Sequence, residues 1–289
     1  MNPVSQPALV AADARPAHLA PGGAPQGRFE FLDMMRGVAA LTVVIYHIVM
    51  QLAPETGWMR LFDLGDFGVG LFFLCSGFII PVSLENSQSL KRFWVRRVFR
   101  LYPLYWINIV CWLLAVYVFQ LGRFSSAQIN ASPVTSVAAN ATLLQQLLGV
   151  DNLVPLYWTL NLELIFYGVV SLLFATRLLA HKVAISYAFI AAAIIVEGLA
   201  PLLLRTQISR NLGFLAMMFV GTVWHGVASG AIELAVAKRA LLWALLMEAI
   251  LALRWNGDLG QPEVVISALA GQLAAYGVFM AIFQRRARS

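Results

Sequence analysis

The chain has 289 residues, of which 60% are hydrophobic and only 12% are charged, and its mean hydropathy is +0.77. Soluble domains carry about 25% charged residues, so this composition excludes an ordinary soluble protein and indicates an integral membrane protein. Cys75 and Cys111 both lie in apolar runs, without the spacing of a disulfide framework or a metal site. We therefore expect no bound metal and two buried free thiols.

The first residues differ from the rest. Residues 1–28 are rich in Pro, Ala and Gly and contain no long apolar run. Segments of this kind cannot bury enough apolar surface to fold, which predicts a disordered cytoplasmic tail. Residues 29–289 are then the membrane-embedded domain.

Eight apolar segments follow, most of them near the ~20 residues that cross a bilayer. They cover residues 34–52, 64–82, 101–120, 155–175, 183–204, 212–228, 240–253 and 263–283. The seventh has only 14 residues, which leaves open a pair of half-spans or a longer tilted helix that begins before Lys238. The predicted fold is all-α: a polytopic integral membrane helix bundle with about eight transmembrane helices.

Lysine and arginine set the predicted orientation. With the N-terminus inside, 15 of the 20 basic residues fall on the inner side and five on the outer side. This split follows the positive-inside rule and places both termini in the cytoplasm. The basic charge then reflects topology in a multi-pass protein of the cytoplasmic (inner) membrane. We expect the lipid bilayer as a partner and no nucleic acid.

The first apolar segment carries two ionisable side chains. Arg36 and His47 are eleven residues apart. In a helix they share one face and are separated by ~16 Å along the axis. An ionisable residue inside a membrane is costly, by about 2.5–3.5 kcal/mol on insertion scales, and is read as functional by default. The alternative is a snorkelling arginine and a histidine that hydrogen-bonds between helices.

The first inner loop contains five basic residues between Lys91 and Arg100. We expect an interfacial helix on which Arg97 and Arg100 share a face, with Arg96 beside them. Guanidinium groups bind phosphate through two parallel hydrogen bonds, so this loop suits the phosphates of a nucleotide-bearing donor. Stop-transfer charge that binds anionic headgroups is the simpler alternative.

Three further polar side chains lie inside predicted spans. Glu163 is about one and a half turns into the fourth segment, and we expect it either to orient His47 or to form a structural bridge with an arginine. Ser76 is a possible nucleophile without an assignable base, in a glycine-rich segment suited to close helix packing. His225 is assigned no chemistry.

Four stretches together resemble the acyltransferase 3 family of membrane-bound sugar and polysaccharide O-acyltransferases. They are DMMRG at residues 33–37 followed by His47, GVGLFFLCSGF at residues 68–78, RVFR at residues 97–100 followed by Pro103, and WTLNLE at residues 158–163 followed by Phe166 and Tyr167. The resemblance implies that Arg36 and His47 are the essential pair. It implies further that Arg97 and Arg100 handle the acyl donor and that Glu163 contributes to the site.

The resemblance also implies a reaction: an acyl group, usually acetyl, moves from cytoplasmic acyl-CoA to a hydroxyl of a glycan or glycolipid. Acyl-CoA is then a donor substrate, and no tightly bound cofactor is expected. In this interpretation His47 is the general base. Arg36 either anchors the charged part of the donor, which the ~16 Å separation favours, or stabilises the negative charge that develops in the reaction. Two other functions stay open: a transporter or flippase of a lipid-linked or small solute, and a non-catalytic shortened member, since family members usually have more spans.

Overall fold

The computed structural model describes residues 27–53, 62–87, 89–120, 126–204, 211–255 and 262–288. Residues 1–26 of the predicted tail lie outside the described residues. The described part is helical and contains no strand. Its α-helices are α1 Gly27–Leu52, α2 Leu64–Ser87, α3 Leu90–Leu113, α4 Ala127–Ala131, α5 Pro133–Ala141, α6 Tyr157–Ala175, α7 Lys182–Ala193, α8 Ala200–Leu204, α9 Asn211–Ala228, α10 Leu234–Trp255 and α11 Pro262–Arg288.

Seven helical spans in the described residues are long and apolar enough to cross a membrane. They contain α1, α2, α3, α6, α7, α9 and α11, and they confirm the predicted polytopic helix bundle. The weak seventh segment is α10, which has 22 residues. At 1.5 Å per residue it is about 33 Å long, enough for a crossing. The sequence left open a short span, a pair of half-spans and a longer helix for this segment. The structure has the longer helix, which begins before Lys238.

The basic stretch before the third span belongs to the span itself. We expected an interfacial helix between Lys91 and Arg100 that precedes a span from Leu101. Instead α3 begins at Leu90 and continues through a π-helical turn at Leu114–Val118. Ser89 caps its N-terminus, where the Ser89 side chain accepts from the Arg92 amide. Arg97 and Arg100 therefore lie on a transmembrane helix.

The long helices alternate in direction. A Cβ at Gly65 would lie 3.0 Å from the Tyr46 ring, whereas Phe72 lies beside Arg36, so α1 and α2 are antiparallel. Contacts of the same kind show that α2, α6, α9 and α11 run one way and α1, α3, α7 and α10 the other. Hence α1 begins and α11 ends at the same end of the bundle.

We call this the basic end, because every described lysine and arginine except Arg254 lies toward it. The described chain ends therefore share one side, as predicted for both termini. That this side faces the cytoplasm stays a prediction.

The centre of the bundle is the contact between α2 and α9. A Cβ on Gly77 would lie 1.8 Å from the Met218 carbonyl oxygen, and one on Gly221 would lie 2.3 Å from the Leu74 carbonyl oxygen. The two backbones touch, which only glycine allows at these positions. The predicted packing role of the glycine-rich second segment is confirmed. Ser76 lies fully buried beside this contact.

The segment between α3 and α6 folds against α3 at the end opposite the basic end. The Tyr105 hydroxyl donates to the Asn140 carbonyl at 2.7 Å, and the Trp106 indole donates to the Ala141 carbonyl at 2.9 Å. The buried Asn140 side chain in turn donates to the Asp151 carbonyl at 2.9 Å. These hydrogen bonds hold the chain around residues 140–151 against α3.

Candidate active site

Two arginines, a glutamate and a tyrosine meet inside the bundle, and we call Arg36, Arg97, Glu163 and Tyr167 the ion cluster. Arg36 Nη2 lies 3.2 Å from Glu163 Oε1, with 13% and 3% of the two side chains exposed. The Tyr167 hydroxyl donates to the same Glu163 oxygen at 2.8 Å. A carboxylate is stable at this depth because a cation and a hydroxyl both contact it.

Aromatic rings hold the two guanidinium groups of the ion cluster. The Arg97 Cζ lies 5.4 Å from the ring centre of Phe93 and 5.3 Å from that of Tyr167. The Arg36 Cζ lies 4.9 Å from the ring centre of Phe72. Cation–π contacts of this kind favour a desolvated guanidinium by about 2 kcal/mol. Tyr167 therefore contacts Arg97 directly through its ring and is linked to Arg36 through Glu163.

The position of Glu163 decides between the two roles that the sequence left open. Glu163 pairs with Arg36, and the structure does not bring it into contact with His47. Of the two roles, the structure has the bridge with an arginine. The antiparallel arrangement of α1 and α6 sets which of their residues face each other, and turns counted along α6 alone could not give that. Glu163 orients the arginine of the first span rather than its histidine.

A cavity of about 630 Å³ lies between α1, α3 and the start of α6, and we call it the His47 cavity. This volume is within the range of small-molecule sites, about 300–1,000 Å³. Its walls are mainly apolar and aromatic, with a few polar groups. The lining polar and aromatic side chains include His47, Arg100, Asp66, Asn108, Tyr157, Trp158 and Thr159.

His47 is half-buried at the wall of this cavity. Its ring packs against the Tyr46 ring at 5.3 Å between centres. Within the described ranges the imidazole forms no hydrogen bond or ion pair. Among the described residues, no side chain therefore occupies either ring nitrogen.

On each of α1, α3 and α6, the residue of the ion cluster lies about one helical turn from a residue that lines the His47 cavity. Arg36 is three residues from Ala39, Arg97 is three from Arg100, and Glu163 is three from Leu160; Ala39, Arg100 and Leu160 all line the cavity. Phe72 connects the ion cluster to the cavity, since it lines the cavity and its ring contacts Arg36.

The predicted arginines thus separate into three positions. Arg97 is buried in the ion cluster, and Arg100 lines the cavity one turn away. Arg96 is exposed and contributes to neither. Arg97 and Arg100 were predicted to share a helix face, but Arg97 belongs to the ion cluster and Arg100 to the wall of the His47 cavity.

Sequence reasoning gave Tyr167 no role, although the residue lies in a quoted motif. A tyrosine four residues after a glutamate on a helix is on the same face, and that spacing was the available signal. Ser76 is fully buried and lies outside both the ion cluster and the cavity.

A protein-family model described as an acyltransferase domain matches residues 29–288 of this chain. The chain belongs to the acyltransferase 3 family. The match covers all eight long helices, including those after residue 170, which no quoted motif reached.

Several characterised or named proteins resemble parts of this family member. The acyltransferase MdmB of Streptomyces mycarofaciens is 35% identical over 102 residues, 33% of this chain and 26% of the relative. The peptidoglycan O-acetyltransferase OatA of Listeria monocytogenes is 35% identical over 85 residues, 27% of this chain and 12% of the relative. Nodulation protein 10 of Rhizobium leguminosarum is 27% identical over 159 residues, 47% of this chain and 41% of the relative.

The chain thus spans between 12% and 41% of the length of these three relatives. No solved structure matches it. With seven apolar spans and an acyltransferase 3 domain, it is a multi-pass membrane protein.

Proposed function

We propose that this protein transfers an acyl group, in the simplest case acetyl, from cytoplasmic acyl-CoA to a hydroxyl of a cell-envelope or exported glycan. The observation that carries the proposal is that His47 and Arg100 line one cavity, one turn from the ion cluster. A base and one cation, Arg100, thus face the same space. Membership of the acyltransferase 3 family supports the reaction type.

The buried arginines support the assignment of an anionic donor. Arg36 gives one N–H to Glu163, while its Nε and Nη1 are buried and have no partner in the part of the chain that the structure describes. Arg97 Nη1 is likewise buried without a partner there. Buried donors are nearly always satisfied, so these groups need acceptor oxygens from water or from a ligand. The phosphates or the carbonyl of an acyl-CoA supply the acceptor oxygens that these groups need.

His47 is suited to general base catalysis. A neutral imidazole accepts a proton through one ring nitrogen, and a positioned base contributes about 10²–10⁴ in rate. His47 takes the proton of the acceptor hydroxyl while its oxygen attacks the thioester carbonyl. The carbon–sulfur bond of the tetrahedral intermediate then breaks, and the imidazolium returns the proton to the thiolate. The products are an ester and free CoA.

Arg100 and Asn108 are placed to act on the reacting groups in the same cavity. A guanidinium near the thioester stabilises the negative charge that develops on the carbonyl oxygen. Tyr157 donates to Asn108 Oδ1, so the Asn108 amide N–H₂ is oriented by its neighbour. The Trp158 and Tyr157 rings offer apolar faces suited to a sugar ring, which supports a glycan acceptor.

The test is acyl transfer by purified protein in proteoliposomes that contain acetyl-CoA inside and an envelope glycan fraction outside. Free CoA is measured with a thiol reagent and glycan acetyl mass by mass spectrometry. We expect His47→Gln to lower both by about 10²–10⁴. The matched control is His181→Gln, because His181 is exposed and lies outside the His47 cavity.

Normal CoA release by His47→Gln, with the protein inserted and folded, would show that His47 is not the base. Solute movement without CoA release would favour the transporter. The absence of both activities in the wild-type protein would favour a non-catalytic member.

A further inference from the structure

A second cavity, of about 670 Å³, lies at the basic end, and we call it the basic-end cavity. The last turns of α2 and α6, the first residue of α3, the turn before α7 and the loop between α9 and α10 form its walls. Apolar side chains make most of the surface, among them Leu90, Phe174, Leu179 and Ile232. It shares no lining residue with the His47 cavity, so it is a separate space.

One carboxylate in this cavity holds two basic side chains. Lys182 Nζ lies 2.9 Å from Glu85 Oε1 and 2.9 Å from His225 Nδ1. His225 Nε2 lies 3.8 Å from Glu85 Oε2. Only 12% of the Lys182 side chain is exposed, so its ammonium group is fixed in place rather than free in solvent. His225, which the sequence left without chemistry, is thus part of a buried polar group.

Arg177 adds a second cation in an unusual backbone conformation. It follows α6 with φ 60° and ψ 10°, the left-handed region that glycine and asparagine normally occupy. Its side chain lines the cavity and is exposed, and it forms no ion pair with any described residue. Non-glycine residues with this strained backbone conformation cluster at functional sites.

The charges of this region do not balance. Arg177 and Lys182 line the cavity with a single carboxylate, Glu85. Beside the cavity, Lys91 and Arg92 lie exposed next to Leu90 and Glu233 lies exposed next to Ile232, so four cations stand against two carboxylates. A ligand that fits must carry negative charge for the cations and apolar groups for the walls. Basic pockets between transmembrane helices at the membrane surface bind anionic lipid headgroups for this reason.

We propose that the basic-end cavity binds the phosphate headgroup of an anionic phospholipid from the adjacent leaflet. Arg177 and Lys182 contact the phosphate oxygens, and Phe174, Leu179 and Ile232 contact the glycerol and the first methylene groups. This site is independent of the acyl transfer proposed above. The same phosphate chemistry occurs in coenzyme A, so the experiment separates the two sources.

The experiment is a native mass spectrometry titration of the purified, detergent-solubilised protein with anionic dioleoyl phosphatidylglycerol, and with zwitterionic dioleoyl phosphatidylcholine, whose net charge is zero, as the comparison. We expect tighter binding of phosphatidylglycerol. Arg177→Ala with Lys182→Ala raises its apparent Kd about tenfold or more, because charge-assisted hydrogen bonds are lost. The matched control replaces Lys238 and Arg239, two exposed basic residues on α10 at the same end but outside the cavity.

The single variant Arg177→Gly keeps the test valid if loss of Lys182 destabilises the protein by leaving Glu85 unpaired. Glycine adopts this backbone conformation without strain, so its Tm should equal or exceed that of the wild type. We expect lipid affinity to fall nevertheless.

Three outcomes would overturn the proposal. The first is unchanged phosphatidylglycerol affinity in both Arg177 variants. The second is an equal loss in the Lys238 and Arg239 control, which would mean that net charge alone sets binding. The third is displacement of the lipid by micromolar coenzyme A from the wild type but not from Arg177→Gly, which would assign the phosphate site to the donor.

Discussion

The contact between α2 and α9 and the contact between α1, α3 and α6 are built in opposite ways. In α2 and α9, 72% of the apolar window is buried, and glycines bring the two backbones together. In the spans of α1 and α3 the corresponding values are 17% and 11%. Long polar and aromatic side chains, those of the ion cluster, connect these helices to α6.

The difference explains where the cavity lies. Backbone contact through glycine leaves no space between α2 and α9, whereas the arginine, glutamate and tyrosine of the ion cluster connect α1, α3 and α6 through their side chains. The His47 cavity lies one turn beyond this bridge. Close packing of α2 and α9 therefore supplies the scaffold, and the cavity lies where side chains rather than backbones connect the helices.

The largest expected effect breaks the bridge. Glu163→Gln removes the only carboxylate that contacts Arg36 among the described residues and leaves a cation unpaired at depth. We expect the free energy of unfolding to fall by about 3–5 kcal/mol. Reversible unfolding in mixed detergent micelles measures this. Glu263→Gln, at an exposed first turn, is the control and should change it by less than about 1 kcal/mol. Equal effects would mean that the bridge is not structural.

The next effect breaks the close contact. Gly77→Ala places a Cβ against the Met218 carbonyl, so α2 and α9 must separate. We expect a loss of about 3 kcal/mol from overpacking. Gly168→Ala is the matched control, since nothing lies within 4 Å of a Cβ there. It should stabilise α6 by about 0.5–1 kcal/mol. If Gly77→Ala and Gly168→Ala have the same free energy of unfolding, the contact between the α2 and α9 backbones does not determine the stability of the protein.

A smaller effect sharpens the role of Tyr167. Tyr167→Phe keeps the ring beneath Arg97 but removes the hydroxyl that donates to Glu163. We expect a loss of about 2 kcal/mol, as for hydrogen bonds to charged groups. We also expect a higher KM for acetyl-CoA with little change in kcat, because Arg36 loses its orientation. Tyr187→Phe is the control, since the Tyr187 hydroxyl makes no hydrogen bond with described residues. A loss in both variants would assign the effect to tyrosine in general.

The smallest effect compares neighbouring arginines. Arg97→Lys keeps the charge but loses the planar contacts with Phe93 and Tyr167, which predicts a loss of about 1 kcal/mol. Arg96→Lys, on the exposed side of the same turn, should stay within about 0.5 kcal/mol. Thermal unfolding of the two variants side by side distinguishes them. An identical change in Tm for the two variants would show that the stacking of Arg97 on Phe93 and Tyr167 does not stabilise the protein.

The spans were predictable from local patterns. Apolar length located the helices, and the eleven-residue spacing put Arg36 and His47 on one helix. The seventh segment was the weakest prediction because Lys238 and Arg239 interrupt the apolar run. They lie exposed on α10, which a window average cannot detect.

Contacts between helices were not predictable in the same way. The sequence left open whether Glu163 meets His47 or an arginine, and the structure pairs it with Arg36; Arg97 and Arg100 contribute to different spaces. Hydropathy, charge bias and helical period are properties of a few neighbouring residues, so the sequence by itself determined the membrane class, the helices and the family. Which side chains meet depends on how α1, α3 and α6 stand against the glycine contact of α2 and α9. Only the tertiary structure decided that, because packing joins residues more than a hundred positions apart.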